Sequence, residues 1–285
     1  MSRRWAGALI AVALVVATIM VAALAYRPGG TGETKDLEVQ EVLEVQEVLE
    51  REPTFTQGLE LLGNGTIVHS RGLYGESGID VFTPEGALLA SAELPAQEFG
   101  EGVAIVPDNP MDRQAMFSST DQTAYQLTWR SGVVHTWSLP DLVEGPSMSI
   151  DEEGWGLCYD RVRRALWHSD GTSTLRLRHH RDLRVLQEVT VTDPENGGAE
   201  VDQLNELDCN GGEVWANIWK SDSIVQIEPD TGEVMSYVDL SEVVRAEDPS
   251  GDGSVLNGIV WSDSRLLVTG KNWEHFYWID PFAGS

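Results

Sequence analysis

FGEGVAI, residues 99–105, sets a glycine on either side of an acidic residue and continues into an unbroken apolar run. A short apolar run bounded by glycine and carrying β-branched residues reads as a strand buried on both faces. Four similar stretches accompany it: FTQGLEL at 55–61, EGWGLCY at 153–159, LNELDC at 204–209 and LNGIVW at 256–261. Superposing them brings Gln57, Glu101, Trp155, Asn205 and Asn257 into register, at spacings of 44, 54, 50 and 52 residues. Repetition at that interval in strand-sized pieces is the pattern of propeller blades of three to four strands. Five starts predict an all-β, five-bladed β-propeller.

Each start is followed by a second and a third strand, as in TIVHSRG then GIDVFTPEG, or EVWANIWKSD then SIVQIEPDTG, closed by the turn sequences PEG and PDTG. The last unit ends at Ser285, too soon for a fourth strand of its own. LEVQEVLEVQEVLE, residues 37–50, is spaced for a strand or a helical turn, and the open blade favours the strand. Supplied from the N-terminal side, it would close the ring and remove two sheet edges. VPDNPMDRQAMFSSTD, residues 106–121, reads as an insertion in the second blade.

Upstream, Arg3 and Arg4 precede an apolar run from Trp5 to Tyr26. That pattern fits an export signal or a single membrane anchor, and the two arginines would leave all that follows outside the membrane. Residues 1–26 are therefore read as signal or anchor, 27–36 as a Gly-rich polar linker, and 37–285 as the propeller. The 46 acidic against 19 basic residues give a net charge of −27, which excludes nucleic acid as a partner. Cys158 and Cys209 form no metal-binding pattern, and either a disulfide or two buried thiols fits them.

The inner strands of a propeller line its axis, so the aligned positions should meet at one mouth of the channel. Of these only Glu101 ionises, and apolar neighbours raise a carboxyl toward the range useful for proton transfer. Glu101 is thus the candidate acid/base, although residues of this kind also serve to satisfy backbone groups at blade starts. Trp129, Trp219 and Lys271 end the second strands of their units at the same mouth, a place for an apolar pocket with polar tips. No GxSxG, Walker loop, GxGxxG or HExxH is present, and the six histidines are scattered, so neither a metal nor an organic cofactor is expected. DPSGDG, from Asp248, resembles a calcium loop but has Ile259 where the last ligand belongs.

From about Val42 to Asp280 the chain resembles the plant and bacterial type of glutaminyl-peptide cyclotransferase, the glutamine cyclotransferase family. FTQGL, GLYGES, FGEG, QLTW, GWGL, SDGTS, LNELD, WANIWKSD, LNGI and VTGKNW stand in that family's order. The resemblance implies a five-bladed propeller, the proton-transfer role for Glu101, and polar help from Asn205 and Lys271. It places Phe55, Gln57, Phe99, Trp129, Trp155 and Trp219 around the substrate. The departures are Glu76 for a common Gln, Gln203 for a common Arg, and the insertion.

The implied reaction closes the N-terminal glutamine of a peptide or protein to pyroglutamate and releases ammonia, without metal or cofactor, in a monomeric extracytoplasmic enzyme. Two rival readings are a non-catalytic propeller that binds peptide or glycan, and a calcium-dependent lactonase, whose channel would need several carboxylates where the aligned ring offers one.

Overall fold

The computed structural model describes residues 43–111, 122–248 and 253–282. The apolar segment 1–26, the linker 27–36, the first part of the 37–50 repeat, residues 112–121 of the insertion and residues 249–252 of the calcium-like loop lie outside the described residues.

Five antiparallel sheets follow one another along the chain. Blade 1 is β2 (Thr56–Leu61), β3 (Ile67–Arg71), β4 (Gly78–Phe82) and β5 (Leu88–Glu93). Blade 2 is β6 (Gly100–Pro107), β7 (Gln122–Thr128) and β8 (Val133–Ser138), edged by the short β9 (Val143–Glu144) and β10 (Met148–Ser149). Blade 3 is β11 (Gly156–Asp160), β12 (Ala165–Ser169), β13 (Thr174–His179) and β14 (Val185–Thr190). After a small hairpin, β15 (Thr192–Asp193) with β16 (Ala199–Glu200), blade 4 is β17 (Leu204–Asn210), β18 (Glu213–Ile218), β19 (Ser223–Ile227) and β20 (Val234–Asp239). A short helix, α1 (Ser241–Glu247), leads to blade 5: β21 (Leu256–Ser262), β22 (Arg265–Gly270) and β23 (His275–Asp280). The fourth strand of that sheet is β1 (Glu44–Glu50), antiparallel to β23.

Each of the five hydrophobic clusters straddles two neighbouring blades, which makes the ring one continuous core. Leu207 and Val225 of blade 4, for example, pack with Trp167 and Leu177 of blade 3. The Cys158–Cys209 disulfide joins the inner strands of those same blades, with Cα atoms 5.4 Å apart, and settles the pairing the sequence left open.

The inner strands share one irregularity. In β2, β6, β17 and β21 the register against the second strand slips, at Thr56/Gly58, Gly100/Val103, Leu204/Leu207 and Leu256/Ile259. A bulge twists a strand and re-aims one side chain out of the ladder. Here the re-aimed residues are Gln57, Glu101, Asn205 and Asn257, members of the aligned ring. The next residue along is glycine in four blades, and a Cβ on Gly102 would fall 2.8 Å from Gly156 Cα. The innermost strands therefore touch backbone to backbone.

In blade 4 that next position is Glu206, which is fully buried. Its carboxylate crosses the axis and accepts from the N–H of Leu59 at 3.1 Å and of Ile259 at 2.9 Å. Burial drives this carboxyl well above its ordinary range against the pull of those two N–H groups. The aligned ring has only Glu101, and further acidic residues lie farther along the same inner strands: Glu206 one residue past the ring position, Asp208 and Glu60 three past it.

Candidate active site

Backbone hydrogen bonds zip together the loops above the bulges. Trp129 N–H donates to the Phe99 carbonyl, Gly154 N–H to that of Trp129, Gly102 N–H to that of Trp155 and Trp219 N–H to that of Gln203, all at 2.8–2.9 Å. Lys271 N–H is held by the Val255 carbonyl at 2.8 Å. Leu73, Gln203, Lys220 and Asn272 have φ of 83°, 62°, 65° and 61° in these loops, conformations that cost energy in residues with a Cβ and gather at functional sites.

The aromatic residues named from sequence meet here as two walls. Phe99 stands edge-on to Phe55 at 6.0 Å and to Trp129 at 5.7 Å between centroids, while Trp155 and Trp219 are perpendicular at 5.9 Å. Two glycines make room for them. Gly72 of GLYGES lies where a Cβ would collide with the Phe99 ring, and Gly171 of SDGTS does the same for Trp155. Glycine in both motifs thus follows from close approach of a ring to the backbone.

The polar groups sit in the floor. Glu101 is 5% exposed, and burial raises its carboxyl well above the ordinary value, with Lys271 opposing and Glu153 adding to the rise. Lys271 is equally buried, its Nζ 5.0 Å from the Phe55 ring centre, and burial lowers its ammonium against the attraction of Glu101. Asn205 is buried with its Oδ1 lacking a partner, an orphaned polar atom of the kind that needs explaining. Gln57 accepts from Asn257 Nδ2 at 3.2 Å, so these two aligned amides are engaged with each other where blades 5 and 1 meet.

Two residues at the mouth escaped sequence reasoning. Glu153, inside the EGWGLCY stretch, accepts from Trp129 Nε1 at 2.8 Å and Trp155 Nε1 at 3.2 Å. Tyr74 of GLYGES packs edge-on to Phe99 at 5.4 Å and is 55% exposed. Both lie within quoted motifs, but only the folded chain shows what they face. At the far end of the inner strands a cavity of about 320 Å³ is lined by Glu60, Tyr159, Arg161 and Asp208. Burial raises Glu60 to about 8 and Asp208 to about 6. Among the described residues no group of three or more His, Cys, Asp or Glu is placed to hold a metal ion.

A sequence model described as glutamine cyclotransferase matches residues 13–280. The chain belongs to the glutamine cyclotransferase family. A glutaminyl-peptide cyclotransferase of Arabidopsis thaliana is 32% identical over 98% of this chain and 84% of its own length. The crystal structure of Myxococcus xanthus glutaminyl cyclase superposes with a TM-score of 0.71 at 28% identity, covering 84% of this chain and 96% of that one. Among the motif residues that carry the resemblance, Phe55, Phe99 and Trp129 pack together at this mouth, as do Trp155 and Trp219.

Proposed function

We propose that the mouth around Glu101 cyclises the N-terminal glutamine of peptides or proteins to pyroglutamate. The observation that carries the reading is a buried carboxyl, raised in affinity for protons, within electrostatic reach of Lys271, whose ammonium in turn lies over the Phe55 ring of the aromatic mouth. The α-amine nitrogen bonds to the carbonyl carbon of its own side-chain amide, the carbon–nitrogen bond of that amide breaks, and ammonia departs. Ring closure is slow mainly because the curled conformer is rare, and walls of Phe99, Trp129, Trp155 and Trp219 would hold the side chain curled. Glu101 takes the proton from the attacking amine and delivers it to the leaving nitrogen. Asn205, Gln57 or Lys271 polarises the carbonyl and steadies the oxyanion, and Phe55, edge-on to Phe99, extends the aromatic wall.

Glu101→Gln should fold normally and lose about two or more decades of turnover, the weight of a sole proton shuttle. The measurement is ammonia release from a Gln-initiated peptide, with mass spectrometry for the matching loss of one ammonia. Near-normal release by the variant would defeat the assignment. A wild-type protein that binds the peptide unchanged would be a binding propeller.

We further infer that β1 closes the ring by completing blade 5, and that residues 1–26 export the chain and leave the 37–285 unit outside the membrane, as a secreted or anchored monomer. The apolar run after Arg3 and Arg4 supports export.

A further inference from the structure

Glu153 belongs to no aligned ring position, yet its carboxylate touches both aromatic walls of the cup. One oxygen, Oε2, accepts from the indole N–H groups of Trp129, which follows β7, and Trp155, which precedes β11. The other, Oε1, accepts from Arg130 Nε at 3.1 Å, and the Arg130 guanidinium lies 3.8 Å over the Trp129 ring. Two rings from adjacent blades are thereby held at fixed angles through one anion. An indole edge offers a single donor, and a charged acceptor binds it about twice as strongly as a neutral one.

We propose that Glu153 is the positioning residue of this mouth, a carboxylate that locks Trp129 of one wall and Trp155 of the other at the fixed separation in which the glutamine side chain curls. The inference rests on the cyclotransferase reading of the site. Burial pushes Glu153 up, but hydrogen bonds from Trp155, Trp129 and Arg130 outweigh it and keep the group ionised at neutral pH. A further cation at the mouth, Lys220, has its Nζ 4.4 Å over the Trp219 ring that packs on Trp155. Glu152 pairs with Arg178, Asp170 with Arg176, and His168 Nε2 meets the Glu153 main-chain oxygen at 3.0 Å. The charged groups acting on Glu101 are Lys271 and Glu153, with opposite sign. Removing the Glu153 charge alone therefore moves Glu101 toward stronger acidity.

The test compares wild type, Glu153→Ala, Glu153→Gln and Glu101→Gln on a Gln-initiated peptide, with kcat and KM followed across pH and a thermal melt for each. Glu153→Ala is expected to raise KM about tenfold, the weight of one charge-assisted hydrogen bond, with a smaller effect on kcat. Glu153→Gln keeps an oxygen that can accept both indoles. It should restore KM while shifting the acid limb of kcat/KM to lower pH, a signature that a merely structural role would not produce. Wild-type KM in Glu153→Ala would overturn the proposal, as would a Glu153→Gln whose KM is as poor as alanine's and whose acid limb is unmoved. An unfolded alanine variant leaves the glutamine variant to decide on the same two readouts. A wild-type protein that releases no ammonia from the peptide would instead remove the cyclotransferase reading and this inference with it, whereas a fully active Glu101→Gln would remove only the Glu101 assignment and the acid-limb readout.

Discussion

Glu101 and Lys271 are each 5% exposed, and each is pushed by burial toward its neutral form while attracting the other's charge. A base must be ionised to accept the amine's proton, so activity should rise as pH climbs through the elevated Glu101 value. Lys271 opposes that elevation. Lys271→Met should therefore lose about 100-fold in kcat, as expected for one lost oxyanion donor, and its residual activity should show the acid limb displaced to higher pH. That displacement is opposite to the one expected of Glu153→Gln, and a kcat/KM–pH profile of the two variants distinguishes the signs. Equal shifts in both would mean that neither charge acts on Glu101.

At the scale of the element, the inner strands of blades 1, 2, 4 and 5 share a bulge, and glycine follows the ring position in every blade but the fourth. The bulge at the start of the inner strand re-aims a polar residue, and the following glycine lets neighbouring strands touch. A bulge also strands backbone N–H groups, and those of Leu59 and Ile259 find their acceptors on Glu206, the one departure from glycine. Glu206→Ala would leave two buried donors without acceptors, at about 1–3 kcal/mol each. The expected result is a loss of about 3 kcal/mol or more in urea unfolding, and an unchanged midpoint would show that water replaces the carboxylate.

At the scale of the molecule, five sheets share their hydrophobic clusters pairwise around the ring, so stability depends on keeping neighbours in contact. The Cys158–Cys209 bridge ties blades 3 and 4 across a sequence separation of 51 residues. Constraining a loop of that size in the unfolded chain contributes about 4 kcal/mol. Cys158→Ser with Cys209→Ser should melt at a temperature lower by roughly 5–10 °C and keep its kcat, because the bridge joins inner strands away from the aromatic mouth. A melt indistinguishable from wild type would show that the blade interface is held by packing alone.

Much of this was legible in the linear chain. Apolar runs with glycine and turn residues at a repeating interval determine strand, turn and blade count, since each blade must bury the same two faces. The same register brought Glu101, Asn205 and Trp155 to one mouth, and the strand ends added Trp129, Trp219 and Lys271. What the chain could not disclose is what each side chain faces once the ring forms. Glu153 and Glu206 sit inside motifs that sequence singles out, yet their partners, Trp129 24 residues upstream and Leu59 147 residues upstream, are set by blade packing. The disulfide and the carboxylates beyond the ring were equally silent, because pairing and protonation follow from distance and burial, which exist only in three dimensions.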